Sequence, residues 1–201
     1  SLYATSSTYN QVMSSGMAHT VFVNSDATVS TWGAGGYGQL GLNDDNSSKN
    51  TPQSVPGLSN VVSVGSAAYG SFAIDQTGKL WAWGDNYAGM YGVGNNTKTN
   101  TPIDTGMTNV KAVDGEYYAS IVLKNDGTVW TAGGDNTPLG NGTNTSTTFV
   151  QVTTDGSTPL SGVVAVSVGS YHFVAVKTDG TVWAWGQNTA KQLGDGTTTL
   201  Q

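Results

Sequence analysis

The sequence predicts an all-β protein that is built from repeated four-stranded antiparallel sheets. The first observation is the composition, because the 201 residues include 28 Gly, 28 Thr, 20 Ser and 16 Asn but a single Glu and no Arg. Thr and the aromatic residues favour strands, and Gly, Ser and Asn favour turns, whereas the long side chains that favour helices are scarce. The second observation is a repeat of about fifty residues, and the third is the strand-like alternation inside each repeat.

An eight-residue segment that ends in glycine recurs four times and defines the repeat. Its copies are DATVSTWG at residues 26–33, TGKLWAWG at 77–84, DGTVWTAG at 126–133 and DGTVWAWG at 179–186. The final glycines are 51, 49 and 53 residues apart. Each copy opens on a hairpin-turn sequence and continues as a strand that is rich in Trp. The segment therefore predicts the third strand of each repeat.

Three further strands are predicted around this segment. Alternating runs before the hairpin turns predict second strands at residues 19–24, 71–75, 120–124 and 172–177. Earlier runs predict first strands at residues 61–65, 110–115 and 163–169. Thr-Pro at residues 51–52 and 101–102 suits an outer edge strand, where the missing proline N–H does no harm. Four antiparallel strands in a radial repeat form the blades of a β-propeller.

The repeats resemble the RCC1-like repeat family, whose units read approximately G-x-x-H, an alternating strand, D-G-x-V-W/Y-x-W-G, N-x-x-G-Q-L-G and a later T-P. The fourth unit carries the fullest match, at Gly169, His172, Asp179, Gly180, Trp183, Trp185, Gly186, Asn188, Gln192, Leu193 and Gly194. The departures are Ala27 and Ser30 in the first unit, and Gly70 and Ala119 where the family has His. The resemblance implies a β-propeller fold, and the low charge with no Arg is similar to secreted prokaryotic members.

Four units are fewer than the seven blades that are usual in the family. We expect a single domain over residues 1–201, with repeats at approximately 10–60, 61–109, 110–162 and 163–201 plus 1–9. The residues after Gly186 together with those up to Gly33 span 48, which is in phase with the other repeats. Residues 1–9 are therefore expected to supply the outer strand of the last blade, in the same or a neighbouring chain. A four-bladed ring, a two-chain ring, a filament and a piece of a longer propeller stay open, and we favour self-association.

Charge and cysteine content exclude several functional classes. The formal net charge is −6 with a pI near 4.4, and the chain has no Cys. Nucleic-acid binding and attraction to an anionic membrane surface both rely on basic patches, which are not expected in an acidic chain with no Arg. We expect no insertion into a membrane either. Thiol catalysis and thiolate metal sites are excluded outright. We expect no catalytic residue, no cofactor and no resident metal, and hence no enzyme.

The exit from each Trp strand carries the candidate interaction residues. Tyr37, Tyr87 and Tyr91 lie in these loops, where tyrosine suits recognition but can equally pack under the loop. Asp44 and Asp45, next to Asn46, form an oxygen-rich cluster for which a solvated loop is favoured over a calcium site. The same kind of loop holds four glycosylation sequons, at Asn46, Asn95, Asn141 and Asn144.

The remaining conspicuous residues are predicted to be structural. His19 and His172 occupy equivalent positions in units one and four, so we expect hydrogen-bonding turn histidines and no catalytic base. The paired tryptophans are two residues apart and face one side of a strand, which predicts packing between blades and no sugar-binding platform. They are Trp81, Trp83, Trp183 and Trp185.

The function predicted from these features is a non-catalytic binding or assembly module at the cell surface or outside the cell. Its partner would be a protein or further copies of the same chain, through an adhesive or structural role. The alternative is a regulator, either an inhibitor of a secreted enzyme or, less favoured, a guanine-nucleotide exchange factor. Members of the family that resemble this chain serve in such roles.

Overall fold

The computed structural model describes residues 10–44 and 46–199, in which every regular element is a β-strand. The strands form four antiparallel sheets, here called blades 1 to 4. Blade 1 contains β1 (Met13–Ser15), β2 (His19–Val23), β3 (Val29–Gly33) and β4 (Lys49–Ser54), and blade 2 contains β5 (Val61–Ser66), β6 (Gly70–Asp75), β7 (Leu80–Gly84) and β8 (Thr99–Asp104). Blade 3 contains β9 (Val110–Gly115), β10 (Ala119–Lys124), β11 (Val129–Gly133) and β12 (Ser146–Gln151), and blade 4 contains β13 (Val163–Val168), β14 (His172–Lys177) and β15 (Val182–Gly186).

Within each blade, the strands pair in chain order, as the repeat predicts. In the hairpin turn between the second and third strands, an Asp carboxylate accepts a hydrogen bond from the backbone N–H of the residue two positions later. Asp26, Asp126 and Asp179 do so for Thr28, Thr128 and Thr181 at 2.9–3.1 Å. The residue after the aspartate has a positive φ, which is 78° at Gly127 but 63° at Ala27 in blade 1. Blade 1 therefore keeps the turn although it has Ala27 in place of glycine, and a residue with a Cβ adopts the left-handed conformation there.

The hydrophobic core consists of three clusters, and each lies between two successive blades. One joins blades 1 and 2, with Val21 and Val29 from blade 1 against Val64 and Trp83 from blade 2. The other two join blade 2 to blade 3 and blade 3 to blade 4. The first strands of successive blades also contact one another, so they lie on the inner side of the arc. This radial stacking of sheets confirms the predicted propeller architecture.

The two ends of each blade carry different segments. The residue that begins the second strand pairs with the glycine that ends the third strand, as His19 does with Gly33 and His172 with Gly186. The turn before the second strand and the loop after the third strand, here called the exit loop, therefore lie at one end, the loop face. The hairpin turns lie at the opposite end, the hairpin face. The loop face is where the candidate interaction residues were predicted.

The blades differ mainly at their edges. The first strand of blade 1 has three residues, and the outer strand of blade 3 lacks the Thr-Pro pair. Blade 4 has three strands in the part of the chain that the structure describes. The outer strand that we predict from residues 1–9 lies outside the described residues. No helix within residues 10–44 and 46–199 is long and apolar enough to cross a membrane.

Candidate functional site

Six tyrosine rings form a continuous contact series across the loop face, here called the tyrosine belt. Tyr37 of blade 1 contacts Tyr69 of blade 2 with ring centroids 4.5 Å apart. Tyr69 meets Tyr117 edge-on at 5.8 Å, and Tyr117 is 5.8 Å from its neighbour Tyr118. Tyr118 in turn contacts two rings, Tyr171 of blade 4 at 5.8 Å and Tyr87 of blade 2 at 6.5 Å. The belt therefore draws on all four blades.

The repeat itself positions half of the belt. Tyr69, Tyr118 and Tyr171 hold the same place in blades 2, 3 and 4, immediately before the second strand. Their carbonyl oxygens accept hydrogen bonds from the first residue of the exit loop, from Asp85 N to Tyr69 O at 2.9 Å, from Gly134 N to Tyr118 O at 2.7 Å and from Gln187 N to Tyr171 O at 2.8 Å. Because this backbone bond recurs, successive blades present their tyrosines at one level.

The belt is an accessible surface. Tyr87 and Tyr37, both on exit loops, are 69% and 45% exposed, and the other four tyrosines are partly buried against one another. The Tyr117 hydroxyl donates to Met17 Sδ at 3.0 Å, which links the belt to an exposed methionine of blade 1. Rigid rings that combine an apolar face with a polar tip are the side chains that recognition surfaces favour.

The blade 3 part of the belt disfavours additional negative charge. Burial raises the pKa of the Glu116 carboxyl, and the nearby Asp114 raises it further. Burial also raises the pKa of Tyr117, whereas the largest cause of the raised pKa of Tyr118 is the neighbouring Tyr171. In each case the environment favours the neutral form of the group.

Two of the three predicted loop tyrosines belong to the belt, and the third does not. Tyr91 is fully buried, and its ring meets Phe72 edge-on with centroids 5.7 Å apart. Burial raises the pKa of Tyr91 well above its ordinary value. The interpretation of Tyr91 as an interaction residue is therefore corrected, because its side chain packs under the loop. The sequence reasoning missed Tyr69, Tyr117, Tyr118 and Tyr171, although the place before the second strand that Tyr69, Tyr118 and Tyr171 share was a visible signal.

The predicted acidic loop is held by local bonds. Asp44 forms an ion pair with Lys49 at 2.7 Å and accepts the Asn46 N–H at 3.0 Å. Asp45 lies outside the described residues. No group of three His, Asp or Glu side chains in the described chain is arranged to hold a metal ion.

The four sequon asparagines lie in exit loops on the side of the loop face. Asn95 and Asn144 are exposed, and Asn46 and Asn141 are half-buried. The Asn141 side chain accepts hydrogen bonds from both the N–H and the hydroxyl of Thr143, at 3.1 and 2.7 Å. Whether these residues are modified stays a prediction.

The first histidine has a structural environment. His19 is buried between blades 1 and 2, and its Nε2 lies 2.9 Å from Ser71 Oγ. Burial lowers its pKa to about 4. A neutral imidazole that is bonded across a blade interface fits the predicted hydrogen-bonding role. His172, its equivalent in blade 4, is half-buried.

The paired tryptophans divide into two structural roles. Trp83 and Trp185 are buried in the clusters between blades, and Trp83 Nε1 donates to Gln39 O of the preceding blade at 2.9 Å. Trp81 and Trp183 instead lie under lysine ammonium groups, at 5.3 Å from Lys79 and 5.7 Å from Lys177. The predicted packing between blades thus holds for Trp83 and Trp185, and the partly buried Trp81 also packs against the cluster between blades 1 and 2.

Comparison with known families identifies the repeat. A model of the Regulator of chromosome condensation (RCC1) repeat matches residues 26–74, and a second RCC1 repeat model matches residues 163–192. The first match runs from the hairpin turn of the first repeat into the second strand of the second repeat, and the second match lies in the fourth repeat. The chain belongs to the RCC1-like β-propeller family.

Curated and solved relatives agree with this assignment. The human E3 ubiquitin-protein ligase HERC2 is 33% identical over 199 residues, which are 92% of this chain and 4% of that protein. Human WBSCR16 superimposes with a TM-score of 0.79 at 23% identity, over 94% of this chain and 50% of its own. Yeast RCC1 (Prp20), solved with Kap60 bound, gives a TM-score of 0.80 at 22% identity, over 98% of this chain and 48% of its own. The chain thus spans about half of the solved propellers, and those likenesses show the fold.

Proposed function

We propose that this chain is a non-catalytic protein-binding module and that the tyrosine belt is its binding surface. The observation that carries the proposal is the continuous contact of six tyrosine rings over four blades. A rigid β scaffold that holds exposed aromatic rings at one level loses little conformational entropy when a partner binds. The yeast RCC1 structure was solved with a protein, Kap60, bound, which supports a protein as the kind of partner.

The chemistry of the belt favours a partner segment with Arg or Lys side chains. Cations bind the faces of aromatic rings with about 0.5–2 kcal/mol per contact, depending on how far they are desolvated. Glu116 lies beside Tyr117, and Asp135 acts electrostatically on Tyr118, so carboxylates border the same rings. Lys98 lies beside Tyr37 at the other end of the belt. The cationic segment is therefore expected at Tyr87, Tyr117, Tyr118 and Tyr171.

Peptide binding tests this proposal. The probe is a short fluorescein-labelled peptide that alternates Arg with Ser, and its control has Gln in place of every Arg. By fluorescence anisotropy at physiological ionic strength, we expect the Arg peptide to bind more tightly. The double variant Tyr87→Ala/Tyr118→Ala should weaken binding about tenfold, which is the loss of about 1.4 kcal/mol.

Trp81→Ala is the matched control, because it removes an aromatic ring at the hairpin face. Neither set of substitutions changes the net charge, so general attraction to an acidic protein is the same in all variants. Equal affinity of the two peptides, or equal weakening by the Trp81 and tyrosine substitutions, would contradict the proposal.

We further propose an extracellular or cell-surface location. The supporting features are the low charge with no Arg and the placement of four sequons in the exit loops. The test is immunoblotting of native secreted, surface and intracellular fractions, with glycosidase treatment of each. We expect the chain in the secreted or surface fraction, and its retention inside the cell would contradict the location. Deglycosylation is expected to lower the apparent mass only where the source organism glycosylates these sequons.

A further inference from the structure

Successive blades are joined by a recurring contact between a tryptophan and a glycine. Trp83, near the end of the third strand of blade 2, covers Gly41, the last glycine of the blade 1 exit loop. A Cβ built on Gly41 would lie 2.8 Å from both Cδ1 and Nε1 of Trp83. Trp185 of blade 4 covers Gly140 of blade 3 in the same way, with Nε1 at 2.9 Å from such a Cβ. We call this the Trp–Gly contact.

A second recurring contact joins the second strand of one blade to the exit loop of the blade before it. The hydroxyl of Ser71 in blade 2 donates to Gln39 O of blade 1 at 2.9 Å and also meets His19 Nε2. Ser120 holds the same place in blade 3 and donates to Met90 O of blade 2 at 2.6 Å. A hydroxyl at this strand position thus closes each of these two interfaces.

On its outward side, blade 4 carries the groups that the earlier blade of each pair contributes to these two contacts. Gly194 follows Gly186 by eight residues, as Gly41 follows Gly33, and within the described chain only its own two neighbours in sequence come within 4 Å of its Cβ position. His172 is the equivalent of His19, and no hydrogen bond to its ring occurs within the described residues. Gln192 is the equivalent of Gln39. Val182, whose equivalents in the other blades are completely buried, is 65% exposed.

On its own outward side, blade 1 carries the groups that the later blade of each pair contributes, which are a tryptophan and a hydroxyl. Trp32 is the equivalent of Trp83 but is half-exposed, and Thr20 supplies a hydroxyl at the place of Ser71. Met13 of the first strand is 57% exposed, whereas its equivalent Val64 is 1% exposed. Both halves of the interface therefore occur in one chain, at opposite ends of the arc.

We propose that blade 1 of a second copy of this chain packs on blade 4 and continues the blade stacking between chains. Trp32 of the second copy would cover Gly194, and its Thr20 hydroxyl would reach His172 Nε2 and Gln192 O. The occupant is a second copy because the exposed groups of blade 1 match, place by place, those that blade 2 offers to blade 1. This interface lies on the blade sides and is independent of the tyrosine belt.

Sedimentation velocity over a concentration series of the 201-residue chain tests the inference. We expect species heavier than the 20.7 kDa monomer. Trp32→Ala should weaken association at least tenfold, and so should Gly194→Asn, whose side chain occupies the place of Trp32. Asn tolerates the φ of +69° at Gly194, and the open surroundings leave the fold of the monomer intact. Near-ultraviolet circular dichroism checks that each variant is folded.

Gly196→Asn is the matched control, because Gly196 also has a positive φ, of +80°, and open surroundings. It should associate like the original chain. A mixture of the Trp32→Ala and Gly194→Asn chains should form one-to-one dimers, since each supplies the half that the other lacks. The inference would be overturned if the original chain were strictly monomeric, or if association survived in the Trp32→Ala variant and in the Gly194→Asn variant. An equal loss of association in Gly196→Asn would also overturn it. None of these outcomes depends on what the tyrosine belt binds.

Discussion

Mild acid is expected to destabilise the protein through His19. The folded structure holds the pKa of this buried imidazole at about 4, whereas its ordinary value is 6.5. Between these two pH values, the unfolded chain binds a proton that the folded chain does not bind, so the free energy of unfolding falls as the pH falls. The stabilising effect is complete above about pH 6.5 and is lost progressively as the pH falls toward 4.

The size of the effect follows from the two pKa values. Linkage gives a loss of about 2 kcal/mol between pH 7.5 and pH 5, and of about 3 kcal/mol once the imidazole is fully protonated. His19→Gln removes the titrating group, and the amide nitrogen of Gln can take the place of Nε2 beside Ser71. The difference between the original protein and this variant cancels the contributions of the carboxylates that both contain.

Urea unfolding followed by tryptophan fluorescence at pH 7.5, 6.5, 5.5 and 5.0 measures this difference. We expect the original protein to lose about 2 kcal/mol more than His19→Gln over this range. An excess loss of under about 0.5 kcal/mol would refute the reasoning, because it would show that the imidazole accepts a proton in the folded state without penalty.

Three further substitutions test the blade structure by the same unfolding measurement. Ala27→Gly should raise the free energy of unfolding by about 0.5–1 kcal/mol, because the relief of left-handed strain at φ 63° outweighs the larger chain entropy that glycine loses on folding; no gain would mean that the turn is unstrained. Trp83→Ala should lower it by about 3–5 kcal/mol, whereas the half-buried Trp81→Ala should cost much less, and equal costs would contradict the assigned packing. Asp114→Asn should cost about 1 kcal/mol, because Asp114 Oδ2 accepts from Ser167 Oγ and Val168 N of blade 4, each at 3.0 Å; an unchanged stability would show that this link between blades contributes nothing.

The strands could be predicted from the sequence because each one repeats a local pattern. The alternating run at residues 172–177 and the run at 110–115 have the bounds of β14 and β9. The hairpin turns combine an Asp with a residue of positive φ, and both signals are local in the chain. Pairing between neighbouring strands then follows from the hairpins alone, so no long-range information was needed for a single blade.

The belt could not be predicted as a surface because its contacts join separate blades. Tyr69 and Tyr117 are 48 residues apart, and the level at which their turns meet depends on how one sheet stacks on the next. Tyr91, by contrast, could have been placed in the core. It holds the position of Leu40 and Leu139 in the other exit loops, and both of those residues are buried. Position within the repeat was a better guide to burial than the residue type.

The interface between blades 2 and 3 explains why the Trp–Gly contact matters. Blade 3 has Ala132 where its neighbours have tryptophan, yet the glycine that this position faces is not left open. The ring of Phe149, from the outer strand of blade 3, contacts Gly92 of the blade 2 exit loop instead. At all three internal interfaces, an aromatic ring therefore covers the equivalent glycine of the exit loop, which is Gly41, Gly92 or Gly140, even when the third strand cannot supply the ring. The half-exposed Trp32 and the open Gly194 depart from this rule in complementary ways, and the proposed stacking of blade 1 on blade 4 would remove both departures at once.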